Sequence, residues 1–240
     1  QGTPIQTRDF SWTVRMNLTH YKNKITYLPE ERKTMECDGV EGYSSGSYFY
    51  GEGISLYTFR MRQYAGVDEN GNSMWYYNKE VPRVDKDGNN VVDANGNQIV
   101  DIVKDKTTEY SSADYYLCGS ALPEVYGGFG TTLNFKGFDL SVDFGFQIGG
   151  QVYDSDYASF MSSPTASSKG NNFHADLLNA WSTDNKGSNI PRFQFGDEYS
   201  ASSSDRFLTD ASYLSLNNIN FGYTLPLALT RKAGMDKVRF

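Results

Sequence analysis

The sequence predicts an all-β fold: about seven antiparallel strands that form part of the wall of a transmembrane β-barrel. Strict alternation is the first reason. Apolar residues fall at Phe129, Leu133 and Phe135. Beyond Lys136-Gly137 they resume at Phe138, Leu140, Val142, Phe144, Phe146 and Ile148. The positions between them hold Thr132, Asn134, Asp139, Ser141, Asp143 and Gln147. Period two marks a strand with one apolar and one polar face. A face of Phe, Leu, Val and Ile backed by two carboxylates fits a strand between lipid and water better than one inside a soluble sandwich. Hydropathy is the second reason. Aromatics make up 15% of the 240 residues, with 18 Tyr and 15 Phe, yet mean hydropathy is −0.57. No apolar run is long enough for a membrane-crossing helix, whereas alternating strands average out as polar. The third reason is that compact turns alternate with very long loops, the asymmetry of outer-membrane barrels.

The first strand covers Phe10 to His20. Phe10, Trp12, Val14, Met16 and Leu18 lie on one side, and Ser11, Thr13, Arg15, Asn17 and Thr19 on the other. A shorter apolar stretch, Ile25 to Leu28, ends at Pro29, and Glu30-Glu31-Arg32-Lys33 marks a solvated turn. A second long strand is expected from Ser47 to Tyr64, with Phe59 and Met61 opposite Arg60 and Arg62. Within 65–120 the turn dipeptides Asn70-Gly71, Asp87-Gly88 and Asn95-Gly96 predict a projecting meander. Lys136-Gly137 then predicts a two-residue hairpin that pairs Phe135 with Phe138, so both apolar faces coincide. Residues 151–205 are too long for a simple connection. They are expected to hold one short helix capped by Asn172, with Phe173, Leu177, Leu178 and Trp181 on its apolar side. A last long strand, Phe207 to Leu225, changes phase at Asn217-Asn218, a candidate bulge. Pro226 ends it, and a turn through Ala233-Gly234 leads to a new strand at Lys237 to Phe240.

The net charge of −7 and a pI near 4.9 argue against a nucleic-acid partner. Cys37 and Cys118 have no CxxC spacing, and no secretory leader is visible at the start. Gly42-Tyr43-Ser44-Ser45-Gly46 matches the nucleophile-elbow pattern without its strand-then-helix context, so it reads as a turn. Asp85, Asp87 and Asn89 open like a calcium loop, but positions six and twelve hold Asn90 and Gly96. His20 and His174 have no metal-spaced partner. No catalytic residue, metal site or cofactor is therefore expected, and the chain is not expected to be an enzyme. The best ligand candidates are loop aromatics, foremost Tyr157, Phe173, Trp181 and Phe193, alongside Tyr153, Phe160, Phe195 and Tyr199. The alternative is that these rings staple the loop together or form an interfacial girdle.

Three stretches carry a family resemblance: Cys118 to Asp154 (CGSALPEVYGGFGTTLNFKGFDLSVDFGFQIGGQVYD), Trp181 to Phe193 (WSTDNKGSNIPRF) and Phe207 to Phe240. The segment FSWTVRMNLTHYKNKITYLPEE and the Gly66 to Tyr77 stretch add to it. Together they resemble the C-terminal barrel half of SusC/RagA-type TonB-dependent outer-membrane transporters. The resemblance implies a barrel of 22 strands in the bacterial outer membrane, in contact with the lipid bilayer. It implies import of an oligosaccharide or, alternatively, a peptide, with a SusD-like surface lipoprotein as lid and TonB as energy source. The chain is expected to be a fragment of one barrel domain, 1–240, with long extracellular loops near 65–120 and 151–205. No counterpart of the plug domain or TonB box is seen in it. The competing classes are a surface glycan-binding β-protein or glycosidase, and a small complete barrel of eight strands.

Overall fold

A computed structural model describes residues 1–166 and 170–240. In chain order the strands are β1 (Gly2–Gln6), β2 (Phe10–His20), β3 (Met35–Cys37), β4 (Val40–Ser45), β5 (Tyr48–Gly51), β6 (Thr58–Arg62), β7 (Tyr64–Val67) and β8 (Ser73–Pro82). They continue as β9 (Val100–Thr107), β10 (Tyr115–Ser120), β11 (Val125–Phe135), β12 (Phe138–Ile148), β13 (Gln151–Tyr153), β14 (Leu208–Asp210) and β15 (Tyr213–Tyr223). Two short helices, α1 (Ser155–Phe160) and α2 (Leu227–Thr230), complete the list with several single 3-10 turns. The chain divides into two compact units. The first is Gln1–Asn23, Ala121–Gln151 and Asp210–Phe240; the second is Lys24–Ser120 and Val152–Thr209.

The first unit is one five-stranded antiparallel sheet in the order β1-β2-β11-β12-β15. It does not close on itself. Lys136 and Gly137 both have positive φ, 48° and 90°, the geometry of a tight hairpin turn whose twist matches its strands. Phe135 accordingly pairs with Phe138, the first of eleven residue pairs that run without a slip. The same register runs across the sheet, so Phe10, Phe135, Phe138 and Tyr223 share one row, and Met16, Phe129, Phe144 and Leu216 another. Asp143 pairs with Asn218 and Phe144 with Leu216, leaving Asn217 as the extra residue of a bulge. That bulge restores the phase of β15, as its sequence predicts. Beyond α2 the strand expected at Lys237 to Phe240 is reduced to one isolated antiparallel bridge, Thr224 with Arg239, beside which Tyr223 and Phe240 exchange two backbone hydrogen bonds of 3.1 Å.

The two faces of this sheet have opposite chemistry. On the apolar face Met16, Leu214, Ile219 and Phe221 are each more than 60% exposed, so it packs against nothing in the unit. Trp12, on the same face, donates its indole N–H to Thr131 Oγ1 at 2.8 Å, which satisfies the one polar hydrogen that an apolar medium would strand. Rings gather at both ends of the strands: Phe138 lies 4.4 Å from Tyr223 and Phe10 6.5 Å from Phe135 at the hairpin end, and Tyr21 6.1 Å from Tyr126 at the other. Eleven-residue strands at the usual tilt span about 25 Å, the height of a barrel's apolar band.

The polar face is organised by glycine. Arg15 donates from Nε to Asp143 Oδ1 at 3.0 Å and from Nη1 to Thr132 Oγ1 at 3.0 Å, and its Nη2 pairs with the same Asp143 oxygen. Arg15 and Asp143 lie on β2 and β12, with Gly130 of β11 between them in the same row. A Cβ on Gly130 would overlap Asp143 Oδ1 and come within 3.0 Å of Arg15 Nε. The construction recurs two strands over, at β15. Arg239 reaches Asp139 with bonds of 2.9 and 2.6 Å, and a Cβ on Gly222 would collide with its guanidinium. In each case a missing side chain on the middle strand lets an ion pair bridge two strand spacings.

In the second unit the strands are shorter. They form a five-stranded sheet in the order β10-β6-β5-β4-β3, a three-stranded sheet β7-β8-β9, and the pair β13-β14. The expected long strand from Ser47 to Tyr64 does not form. Gly53 (φ 89°) and Tyr57 (φ 54°) fold it back, so that Tyr48 of β5 pairs with Phe59 of β6. The predicted face split survives in β6, where Phe59 and Met61 are buried and Arg60 stacks 3.9 Å over the Tyr115 ring. Where about seven long strands are expected, four strands reach 11 residues and β8 reaches 10, the others among the described residues being shorter.

Two outcomes follow for the sheet. Val142→Arg in the full-length protein should cost about 2–4 kcal/mol in a lipid refolding titration, and Ser141→Arg much less; equal tolerance on both faces would exclude a lipid-facing strand. Gly130→Ala should cost about 1–3 kcal/mol in the same titration, because the added methyl overpacks the Arg15–Asp143 rung.

Candidate functional site

The described residues of the long segment after β13 gather on one aromatic residue. Phe207 is 2% exposed and packs with Ala158 and Met161, and Tyr153, Tyr157, Leu177 and Ile190 surround them. Asp154 N–H donates to Phe207 O at 2.9 Å, which closes the loop's stem. The helix α1 starts there because Asp154 Oδ1 accepts from Tyr157 N at 2.8 Å, an N-cap with Asp156 in the first turn. Sequence reading placed the helix elsewhere, at an Asn172 cap. The structure has instead a 3-10 helix, Ala175–Asn179, capped by His174, whose Nδ1 accepts from Asp176 N at 3.2 Å. Leu178 is 90% exposed, and Trp181 lies beyond the helix end, so the expected apolar side is not formed. An imidazole cap is the signal that was missed; the Asp154-Ser155-Asp156 run was the one available for α1.

The four foremost ligand candidates occupy three different settings. Tyr157 is a staple: its hydroxyl donates to Asp176 Oδ2 at 2.8 Å and its ring meets His174 at 4.8 Å and Phe207 at 6.1 Å. Burial, then the Asp176 bond, holds its phenol above the ordinary range. Phe173 and Phe193 pair edge to face at 5.2 Å, with Phe193 45% exposed. Trp181 covers a turn. A Cβ on Gly71 would sit 2.5 Å from the Trp181 ring, and Arg192 N–H donates to Gly71 O at 2.9 Å. The Asn70-Gly71 turn thus supplies positive φ for the hairpin and a flat seat for the indole. Of the wider set, Tyr199 stacks on Tyr110 at 6.0 Å and meets Trp75 at 6.0 Å, whereas Phe160 and Phe195 are exposed.

Electrostatics pin the loop's end. Asp205 Oδ1 accepts from Tyr64 N at 2.7 Å, and Arg206 lies 5.1 Å over the Tyr64 ring. Burial raises the Asp205 carboxyl, lowers the Arg206 guanidinium and pushes the Tyr64 phenol up to about 12. Arg206 Nη1 also donates to Ser200 O at 2.9 Å.

The catalytic-looking motifs resolve as turns. Gly42–Gly46 belongs to β4 and its hairpin to β5. Asp85 Oδ1 accepts from Asp87 N and Asn89 N at 2.9 Å each, so that carboxylate serves its own backbone. Asp68 and Asp93 do the same for their Asn-Gly turns. No group of three or more potential metal ligands occurs among the described residues.

A two-faced sheet with ordered polar loops is the construction of a barrel-wall segment, and the comparisons agree. The chain is 28% identical to TonB-dependent receptor P3 of Formosa agariphila, over 98% of its own length and 22% of the relative's. It is 26% identical to TonB-dependent receptor SusC of Bacteroides thetaiotaomicron over 92% of its length and 19% of the relative's. A solved structure of the RagAB peptide transporter superposes with a TM-score of 0.69 at 26% identity, covering 99% of this chain and 23% of that one. No family model matches. Over nearly its whole length the chain is thus similar, at a distance, to TonB-dependent receptors of the SusC and RagA type. It spans about a fifth of the length of the curated relatives it matches.

Phe207→Ala should remove about 3–5 kcal/mol of local stability, seen as faster hydrogen exchange across α1 with β11 and β12 unchanged. Burial pushes the Cys118 thiol up to about 11. Maleimide labelling of Cys118 should therefore be slow at pH 8 and accelerate only as the pH approaches that value; rapid labelling at pH 8 would contradict its burial.

Proposed function

We propose that this chain is a stretch of the wall of a 22-stranded importer, with its two long connections, near 65–120 and 151–205, on the extracellular side. The importer takes up a nutrient with a SusD-like surface lipoprotein as lid and TonB as its energy source. The observation that carries the reading is the sheet of the first unit: an exposed apolar face, aromatic ends and a polar face of carboxylates and guanidinium groups, in a single register. A soluble glycan-binding protein or glycosidase would have to cover that apolar face. The nutrient is an oligosaccharide on the sequence reading. Peptide import is the second reading, favoured by the superposition on a peptide transporter. Loop 151–205 contributes to ligand or lid contact through Trp181 and the Phe173–Phe193 pair, and Tyr157 holds it in shape.

Trp181→Ala and, separately, Phe173→Ala/Phe193→Ala in the full-length protein should each reduce growth on the native nutrient or co-purification of the lipoprotein by several-fold, at normal surface levels. Normal growth and normal co-purification in both variants would remove these aromatics from the functional surface.

A further inference from the structure

Charge is distributed unevenly along the sheet of the first unit. The long connections leave or enter it at one end, after His20 and Ile148 and before Val125 and Tyr213, and the short ones lie at the other. That hairpin end carries Arg8, Lys136, Arg231, Lys232, Lys237 and Arg239 against Asp9, Asp139 and Asp236, six cations to three carboxylates on a chain whose net charge is −7. Arg239 is taken by Asp139. Arg8, Lys136, Arg231 and Lys232 are exposed and pair with no carboxylate among the described residues. Lys136 is the informative one. Its φ of 48° lies in the left-handed region, which asparagine or glycine occupies at less cost. Its ammonium lies 5.4 Å over the ring of Phe135, at the rim of the apolar face. The same rim exposes Phe138 and Phe221, and α2 exposes Leu227 and Leu229 just ahead of Arg231-Lys232.

We infer that the hairpin end binds the phosphate headgroup of an anionic phospholipid in the leaflet it meets. Lys136, Arg231 and Lys232 supply the charge at headgroup depth, and the rings with Leu227 and Leu229 occupy the acyl boundary beneath. Charge and apolar surface together select this partner. A soluble anion meets the cations but leaves the leucines and rings in water. A zwitterionic headgroup leaves the excess positive charge uncompensated. A lysine kept where the backbone favours asparagine fits a side chain retained for its charge. The inference rests on the proposed wall reading, in which the long connections are extracellular and this end faces the periplasmic leaflet.

The test uses the full-length protein in detergent, titrated with phosphatidylglycerol and, separately, with phosphatidylcholine of the same chains. Retained lipid is counted by native mass spectrometry. Phosphatidylglycerol should be retained at the lower concentration. Its apparent affinity should fall about fivefold in Lys136→Asn and further in Lys136→Asn/Arg231→Gln/Lys232→Gln. Asparagine suits the left-handed turn, so the single change keeps the hairpin and decides the matter by itself if the triple variant does not fold. Lys22→Gln, an exposed lysine at the opposite end of the same sheet, should change nothing. Glycerol phosphate at the same concentration should not compete. Equal retention of the two lipids, unchanged affinity in the folded variants, an equal fall in Lys22→Gln, or competition by glycerol phosphate would each overturn the proposal, the last by reassigning the cations to a soluble anion. Growth on the native nutrient is recorded for the same variants. A protein that imports normally while the two lipids bind alike defeats the headgroup site and leaves the import reading standing.

Discussion

The structure depends on one register. In an apolar medium an unpaired backbone N–H or C=O costs several kcal/mol, so a wall strand must bond along its full length on both sides. β11 does this, pairing residue by residue with β2 on one side and β12 on the other from Val125 to Phe135. A slip of one residue would turn Phe129 and Leu133 to the polar face and Arg15 to the apolar one. The tight turn at Lys136-Gly137 fixes the phase of β12 against β11. The bulge at Asn217 corrects that of β15.

The polar face obeys a second constraint, set by reach. An arginine on one strand and an aspartate two strands away meet only if nothing projects from the strand between. Gly130 and Gly222 meet that need in two separate rows. These glycines matter for the absence of a side chain, not for backbone freedom, since neither has positive φ. Both rungs pair one cation with one anion, and each is partly exposed, so they contribute less to stability than to the arrangement of the face.

The loops follow ordinary core physics. Phe207 and Trp75 are buried as deeply as residues in a soluble domain, and the loop aromatics divide between them. Tyr153 and Tyr157 gather on Phe207, Tyr199 on Trp75, and Trp181 on the Gly71 turn. Most rings expected to contact a ligand thus also hold the loop together. The aromatic surface left open is narrower: the Phe173–Phe193 edge, with Phe193 exposed.

The sequence by itself determined the two-faced sheet. Period-two patterning is local, and the hairpin at Lys136-Gly137 and the bulge at Asn217-Asn218 are written in a few adjacent residues. It also determined the three Asn/Asp-Gly turns between Tyr64 and Val100, because positive φ there needs glycine. Only the tertiary structure decided the rest. The break at Tyr57 depends on β6 returning to β5. The His174 cap depends on an imidazole doing what Asn or Ser usually does. The role of each loop aromatic depends on partners far away in sequence, as Trp181 depends on Gly71 and Tyr199 on Trp75. Local patterning reports which face of a strand is apolar; it carries no information about which distant ring, carboxylate or glycine will lie opposite.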